Sequence, residues 1–258
     1  MKGLKLIIIS LFSMTLVSCG SGDDANGFSN LKASLTIQGQ PEIYDAGDIV
    51  WENEWSQHLE KSIERYGSNL LNITIADKDL RAVDCLGFNK ANDTQKKQFW
   101  VVVFASMAKF ESGYRNIQMV PRNAADRARA AKNELPLGLL QLSSKDSWHG
   151  NGCHNSQSQP WLLDPLNNLQ CGVQIMNNQL SGNRGKYSGV IGRLFPDQPL
   201  RPGINTRHYY WSVLTYGDDG VMTSSGSLRY GKKNKVQERI VDQLHMAENR
   251  EMFNFCFD

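Results

Sequence analysis

Hydrophobic and polar positions along the chain predict a helical protein built around one element. Residues 94–115 read TQKKQFWVVVFASMAKFESGYR, and every residue from 99 to 104 is apolar. Ala105, Met107, Ala108 and Phe110 extend the run, so almost the whole circumference of this helix has to be buried. Asp93 and Thr94, ahead of Gln95 and Gln98, supply short side-chain oxygens for the first unpaired amides and predict the helix start there. Gly113 suits the left-handed position just past a helix end, which places Glu111 in the last turn. Ten to twelve apolar residues flanked by Lys96, Lys97 and Lys109 are too few to span a bilayer, so the run belongs to a protein core.

The flanking pattern is consistent with this. Trp51, Trp55, Leu59 and Ile63 recur every fourth residue and predict an amphipathic helix with its tryptophans in the core and Glu52, Glu54, Glu60 and Lys61 outside. Leu70, Leu71, Ile73 and Ile75 are compatible with a short strand, and residues 78–85 with a helical turn. Leu169, Val173, Met176 and Leu180 repeat at helical spacing. Val236, Ile240, Val241 and Leu244 predict a last amphipathic helix. Residues 20–40 are rich in Gly, Ser, Asp and Asn and read as a flexible tether, with the domain starting near Pro41 and running to residue 258.

Position gives Glu111 its chemical interest. The carbonyls at a helix carboxyl end disfavour a carboxylate, and apolar neighbours add a desolvation cost of the same sign. Both raise the pKa, and a carboxylic acid kept protonated near neutral pH is what a general acid needs. The alternative is a solvated glutamate at a helix end.

At the amino terminus, Lys2 and Lys5 precede an apolar segment and then Leu16, Val17, Ser18 and Cys19. This resembles the lipobox of bacterial lipoproteins, which implies a signal peptide over residues 1–18 and a lipidated Cys19 that anchors the protein in a membrane. Gly20 and Ser21, with no Asp directly after the cysteine, are similar to the pattern for outer-membrane sorting, facing the periplasm. Removing this leader takes away two of the 28 basic residues and none of the 26 acidic ones, so the remaining chain is balanced. A balanced chain is not a general nucleic-acid binder, and the chain carries neither a phosphate-binding G-x-x-x-x-G-K loop nor a G-x-S-x-G nucleophile elbow.

A more specific likeness joins three segments. Glu111 and Ser112, followed by Gly138, Leu139, Leu140 and Gln141, resemble the paired E-S and G-L-M-Q motifs of the soluble lytic transglycosylase family, related in fold to goose-type lysozyme. In the segment from Leu163 to Val173, Pro165, Asn168, Leu169 and Gly172 resemble the P-x-x-N-I-x-x-G part of the family's L-x-x-P-x-x-N-I-x-x-G helix entry. In the place of a fourth motif, A-Y-N-A-G, Tyr216 matches the tyrosine while Gly217 stands where Asn is usual, and Tyr210 is a substitute for Tyr216. The likeness covers roughly residues 92–217. The spacer between Glu111 and Gly138 is longer than is usual in the family.

The resemblance implies a mainly α lysozyme-like domain with a glycan groove, acting on peptidoglycan and needing no metal or organic cofactor. Glu111 would be the catalytic acid and base, Ser112, Gln141, Tyr216 and Tyr210 substrate-binding groups, and Gly138 and Asn168 structural members of the motif. Each has a plainer role open to it: Ser112 as a helix cap, Gln141 bonded to backbone, Tyr216 in the core, Gly138 as a point of close backbone approach. A glycan-binding protein without activity and a lysozyme-like hydrolase are the other readings of the same groove. His149, Cys153, His154 and Cys171 would suit a metal, but in an exported chain disulfides explain the four cysteines beyond Cys19 better. The expected pairs are Cys153 with Cys171, by short local closure, and Cys85 with Cys256.

Overall fold

The structure, a computed structural model, describes residues 39–43, 49–132, 134–143, 159–182, 191–195, 210–214 and 235–257, all within the Thr36–Asp258 unit. It is mainly helical, as the periodicity predicts. The helices are α1 (Asn53–Tyr66), α2 (Ser68–Asn72), α3 (Asp77–Ala82), α4 (Asp93–Glu111), α5 (Ala124–Ala130), α6 (Gln159–Leu163), α7 (Pro165–Leu180) and α8 (Lys235–His245). Strands β1 (Pro136–Leu137) and β2 (Leu142–Ser143) pair antiparallel. Among the described residues no helix is long and apolar enough to cross a membrane.

Helix α4 is the centre of the packing. Every residue from 98 to 108 is buried, which is the all-round enclosure required of its apolar run. Helices α1, α2 and α8 pack against it, and α7 lies against α1 and α2. The aromatic side chains of α4 interlock with the short 3-10 turn Leu86–Lys90: Phe88 meets Phe99 at 4.8 Å and Trp100 edge-on at 6.0 Å. The Trp100 indole N–H donates to Leu70 O at 2.9 Å, so its one polar group is satisfied inside the core.

Several sequence expectations shift in the structure. The cap of α4 is Asn92, one residue before the predicted Asp93, because it closes a capping box with Gln95: each side-chain oxygen accepts from the other's backbone N–H at 3.0 Å. Phe110, counted with the core run, is 39% exposed, since the last turn of α4 leaves the enclosure. Trp51 precedes α1 but is buried with Trp55 as expected, their rings 5.2 Å apart. Glu60 does not face outward. Burial raises its pKa, opposed by a hydrogen bond from Gln40 and by Lys97. Leu70 and Leu71 lie in helix α2 and not in a strand, because α2 is tied to α7: Asn69 N–H donates to Asn177 Oδ1 at 2.7 Å and Asn69 Nδ2 to Asn177 O at 3.1 Å. Residues 78–82 are helical as predicted, and α8 carries its four predicted apolar residues inward.

Two disulfides and one buried ionic cluster add further ties to the packing. Cys85 and Cys256 form a disulfide, pairing the turn after α3 with the carboxyl-terminal segment. Cys171 is also disulfide-bonded, and its expected partner, Cys153, lies outside the described residues. The fully buried Asp79 carboxylate accepts the Leu194 and Phe195 N–H groups at 2.7 and 3.0 Å and meets Arg193 Nε at 3.1 Å, so a charge in the interior is met by donors on several sides.

The Cys85–Cys256 bond closes a separation of 171 residues. Replacing both cysteines by serine should lower stability by about 2 to 5 kcal/mol, read as a lower denaturation midpoint by fluorescence. An unchanged midpoint would mean that packing of the carboxyl-terminal turn alone holds this edge.

Candidate active site

Glu111 closes α4, with Met107 and Ala108 one turn earlier fully buried. The chain then reverses within a few residues. Ser112 N–H and Oγ both bond Ala108 O, at 3.0 and 3.1 Å, and Gly113 N–H donates to Lys109 O at 3.0 Å. Gly113 has φ 63°, the left-handed position expected of it, and Tyr114 follows at φ 64°. A tyrosine in that conformation needs support. It has it: the ring is buried, packs against Trp51 at 5.7 Å, lies under Lys109 and Arg239, and its hydroxyl accepts from Arg239 Nη2 at 2.9 Å.

Burial raises the Glu111 pKa from the ordinary 4.5 to about 7. Desolvation is the cause; among the described residues no cation or hydrogen-bond donor is paired with this carboxyl to pull the value back, and no neighbouring carboxylate contributes to the rise. The group is nonetheless partly accessible. A half-protonated, unpaired carboxyl at the edge of a core is able both to give and to take a proton near neutral pH.

The second part of the site is the turn 138–141, between β1 and β2. Asn168, fully buried on the first turn of α7, organises it. Its Oδ1 accepts Leu140 N–H at 2.8 Å, and its Nδ2 donates to Leu137 O at 3.0 Å and to Leu162 O at 2.9 Å. The Asp164 side chain caps α7 by accepting from Asn167 N–H, and Pro165 fills the first turn, so the helix start that aims Asn168 is set locally. Gly138 sits at φ 70°, and a Cβ there would collide with the Asn168 amide and Leu162 O; the close backbone approach expected of this glycine is what the fold requires. Gly172, two turns up α7, leaves the space that Leu140 fills beside Phe104 of α4.

Gln141 is held in the left-handed region at φ 48°, with Nε2 donating to Gly138 O at 2.8 Å and Ile117 O at 3.1 Å. Ile117 belongs to the stretch that leaves α4, and this stretch pairs with β1: Gly138 N–H donates to Ile117 O and Met119 N–H to Pro136 O, both at 2.9 Å. Glu111 and the Gln141 turn are therefore tied through one short connection, at most about 20 Å long if fully extended and shortened by its two left-handed residues. Tyr210 enters from the other side, its hydroxyl accepting Ser143 N–H at 2.9 Å. Trp211, which local sequence pattern does not single out, donates its indole N–H to Leu140 O at 3.1 Å.

Glu111, Ser112, Gly138, Gln141, Asn168 and Tyr210 thus fall into two linked groups, the end of α4 and the braced turn. Ser112 and Gln141 make the backbone bonds of their plainer roles. Tyr216, Cys19, Cys153, His149 and His154 lie outside the described residues. Cys171 is consumed by its disulfide and is not available to a metal. Among the described residues no cluster of His, Cys, Asp and Glu has metal-site geometry. Tyr114 is the group that sequence reading passes over; its partner Arg239 is distant in the chain, so no local signal marks the pair.

Asn168→Ala removes three buried hydrogen bonds and leaves Leu140 N–H unsatisfied. It should cost about 3 kcal/mol, and proteolysis should show the 136–143 turn opening ahead of global unfolding. A variant as resistant as the parent would show that Trp211 and Tyr210 are sufficient to hold the turn.

No protein-family model matches the chain, and no curated protein matches it by sequence. Solved structures of DslA from Bdellovibrio are similar to it. The wild-type form superposes with a TM-score of 0.52 at 23% identity over 78% of this chain and 93% of that one. Two forms that each carry one glutamate-to-glutamine substitution give TM-scores of 0.53 and 0.51 at the same identity. The likeness is one of overall fold.

Proposed function

We propose that the protein is a lytic transglycosylase of the bacterial cell wall, with a lysozyme-like fold, attached to the envelope by lipidated Cys19 and probing the wall from the periplasmic face of the outer membrane. The observation that carries the reading is Glu111: a solitary carboxyl, raised by burial to about 7, delivered at the end of the core helix. The ordered motif residues Gly138, Gln141 and Asn168 support it by forming one braced turn beside that helix.

Protonated Glu111 gives its proton to the glycosidic oxygen as the C1–O bond between N-acetylmuramic acid and N-acetylglucosamine breaks. The carboxylate left behind takes the proton of the muramoyl 6-hydroxyl, whose oxygen closes on C1. The product end is 1,6-anhydromuramic acid, no water is consumed, and Glu111 finishes protonated. One group performs both transfers, in contrast to the two-carboxylate arrangement of most glycosidases. The absence of any carboxylate contribution to the Glu111 pKa among the described residues favours the one-carboxyl scheme. Gln141, whose amide nitrogen is committed to Gly138 O and Ile117 O, has its carbonyl oxygen to offer a sugar hydroxyl.

Glu111→Gln keeps size and shape and removes the transferable proton. Turnover of sacculi should fall by about three orders of magnitude or more with glycan binding retained, and parent products should carry anhydro ends by mass spectrometry. Reducing ends would indicate a hydrolase; binding without turnover by the parent would indicate a glycan-binding protein. Parent activity should decline as pH rises through about 7, because the acid form starts the reaction. Stability follows the same sign. The folded state holds the Glu111 proton between the ordinary 4.5 and about 7, so its contribution is full below that window and is lost as pH rises through it. At pH 8 the Gln variant should therefore be as stable as the parent or more so, by on the order of 1 kcal/mol. Unfolding of the variant would make Glu111 structural.

Replacing Cys19 by Ala should release the protein from membranes in fractionation while leaving its activity on soluble glycan fragments unchanged. Loss of that activity would show that the anchor segment is part of the folded domain.

A further inference from the structure

The stretch between the two halves of the site carries its own charge pattern. Residues 115–132 hold Arg115, Arg122, Arg127, Arg129 and Lys132 against one acid, Asp126, in a chain whose basic and acidic totals are 28 and 26. Asp126 does not neutralise them at the surface. It is buried, and its carboxylate accepts Arg122 N–H at 3.1 Å while its own N–H is capped by the Asn123 side chain at 2.8 Å. The acid is spent on shaping the loop, and the exterior that remains is positive.

Arg115, Arg122, Arg127 and Lys132 are exposed, and among the described residues no carboxylate lies within ion-pair distance of any of them. Helix α5 buries no side chain except Asp126, so apolar packing does not hold it down. Arg129 Nη2 donates to Glu134 O and Arg122 Nη2 to Met119 Sδ, neither of them an anion, so a long, capped excursion that adds nothing to the core keeps its like charges without neutralising them, at a cost in stability. Its base is fixed where the site is: Gln118, near its start, bridges to Leu137 of β1, and Ile117 O accepts from Gln141 Nε2.

We infer that the 115–132 excursion is a docking surface for the carboxylate-bearing peptides attached to the glycan strand, a conclusion that rests on the glycan-strand reading of the neighbouring site. Guanidinium groups pair with carboxylates through two parallel N–H donors, and the exposed Arg115, Arg122 and Arg127 offer three such groups to free carboxylates on peptides carried by a glycan. A membrane surface fits less well. The apolar residues of α5 are all alanine, and the two bulky exposed groups of the stretch, Ile117 and Val120, stand on its non-helical part beside β1, so no amphipathic helix face is formed to seat among acyl chains. Docking at the excursion holds the strand along the site, so it acts on substrate capture and leaves the bond-breaking step to Glu111.

The test compares the full-length parent with an Arg122→Glu, Arg127→Glu double variant and with Arg122→Gln, Arg127→Gln, which keeps length and avoids new ion pairs. Each is assayed on intact sacculi and on the same glycan strands stripped of peptide by an amidase, with circular dichroism to verify folding. The reversed variant should bind sacculi about tenfold more weakly, with KM raised and kcat unchanged, and the Gln variant should fall between it and the parent. On stripped strands all three should behave alike, and the parent's advantage on sacculi should fade with added salt. Equal losses on both substrates, or no loss on sacculi, would overturn the inference. So would a loss confined to vesicles of phosphatidylglycerol and phosphatidylcholine. If the parent cuts neither substrate, the transglycosylase reading fails, while pull-down by sacculi still decides the docking surface.

Discussion

Enclosure of α4 on every side is the constraint from which the site follows. Residues 98–108 leave no face for solvent, so other helices have to surround them, and whatever follows in sequence emerges from the most desolvated part of the body. Glu111 is the first ionisable group to do so in an unpaired state, and burial alone moves its pKa to about 7. The raised pKa is therefore a by-product of the packing that makes the fold stable. A carboxyl at the end of an ordinary amphipathic surface helix would have kept its water and its low pKa.

The braced turn solves a different problem. Residues 138–141 must approach α7 closely and present Gln141 in a left-handed conformation, which glycine at 138 allows and which Asn168 stabilises by bonding three backbone groups at once. Trp211 and Tyr210 close the remaining side through Leu140 O and Ser143 N–H. The bonds that Asn168 and Trp211 make to the turn are all buried, so this side of it is rigid for the same reason a core is, while Gln141 and Tyr210 are partly exposed. A rigid turn joined by a short link to the end of a buried helix keeps Gln141 and Glu111 on one fixed scaffold. The basic excursion between them is the opposite: it is held by its caps and its base, and its surface is free to meet a charged partner.

Much of this was legible in the chain. The unbroken apolar run predicts a central helix, Gly113 predicts where it stops, and tryptophans at fourfold spacing predict the first helix of the core; these signals are local and periodic, so no partner has to be known to read them. The link between Glu111, the Gly138 turn and Asn168 came from the resemblance of their motifs to those of a known family; of the three, only the close backbone approach at Gly138 was readable from the residue type itself. The shift of the cap to Asn92, the helical state of Leu70 and Leu71 and the inward turn of Glu60 were not legible, since each depends on a neighbour brought up by folding: Gln95 across the box, Asn177 on α7, Gln40 against α1.

The sequence by itself determined that the protein is mainly helical, which helix is buried, and that a carboxyl group sits at that helix's end. Only the tertiary structure decided that the carboxyl has no partner among the described residues, that Tyr114 is supported from Arg239 and that Asn168 bonds three segments at once, because burial and hydrogen-bond pairing are properties of groups distant in the chain. Periodicity is written one turn at a time; desolvation is written only when the helices close around it.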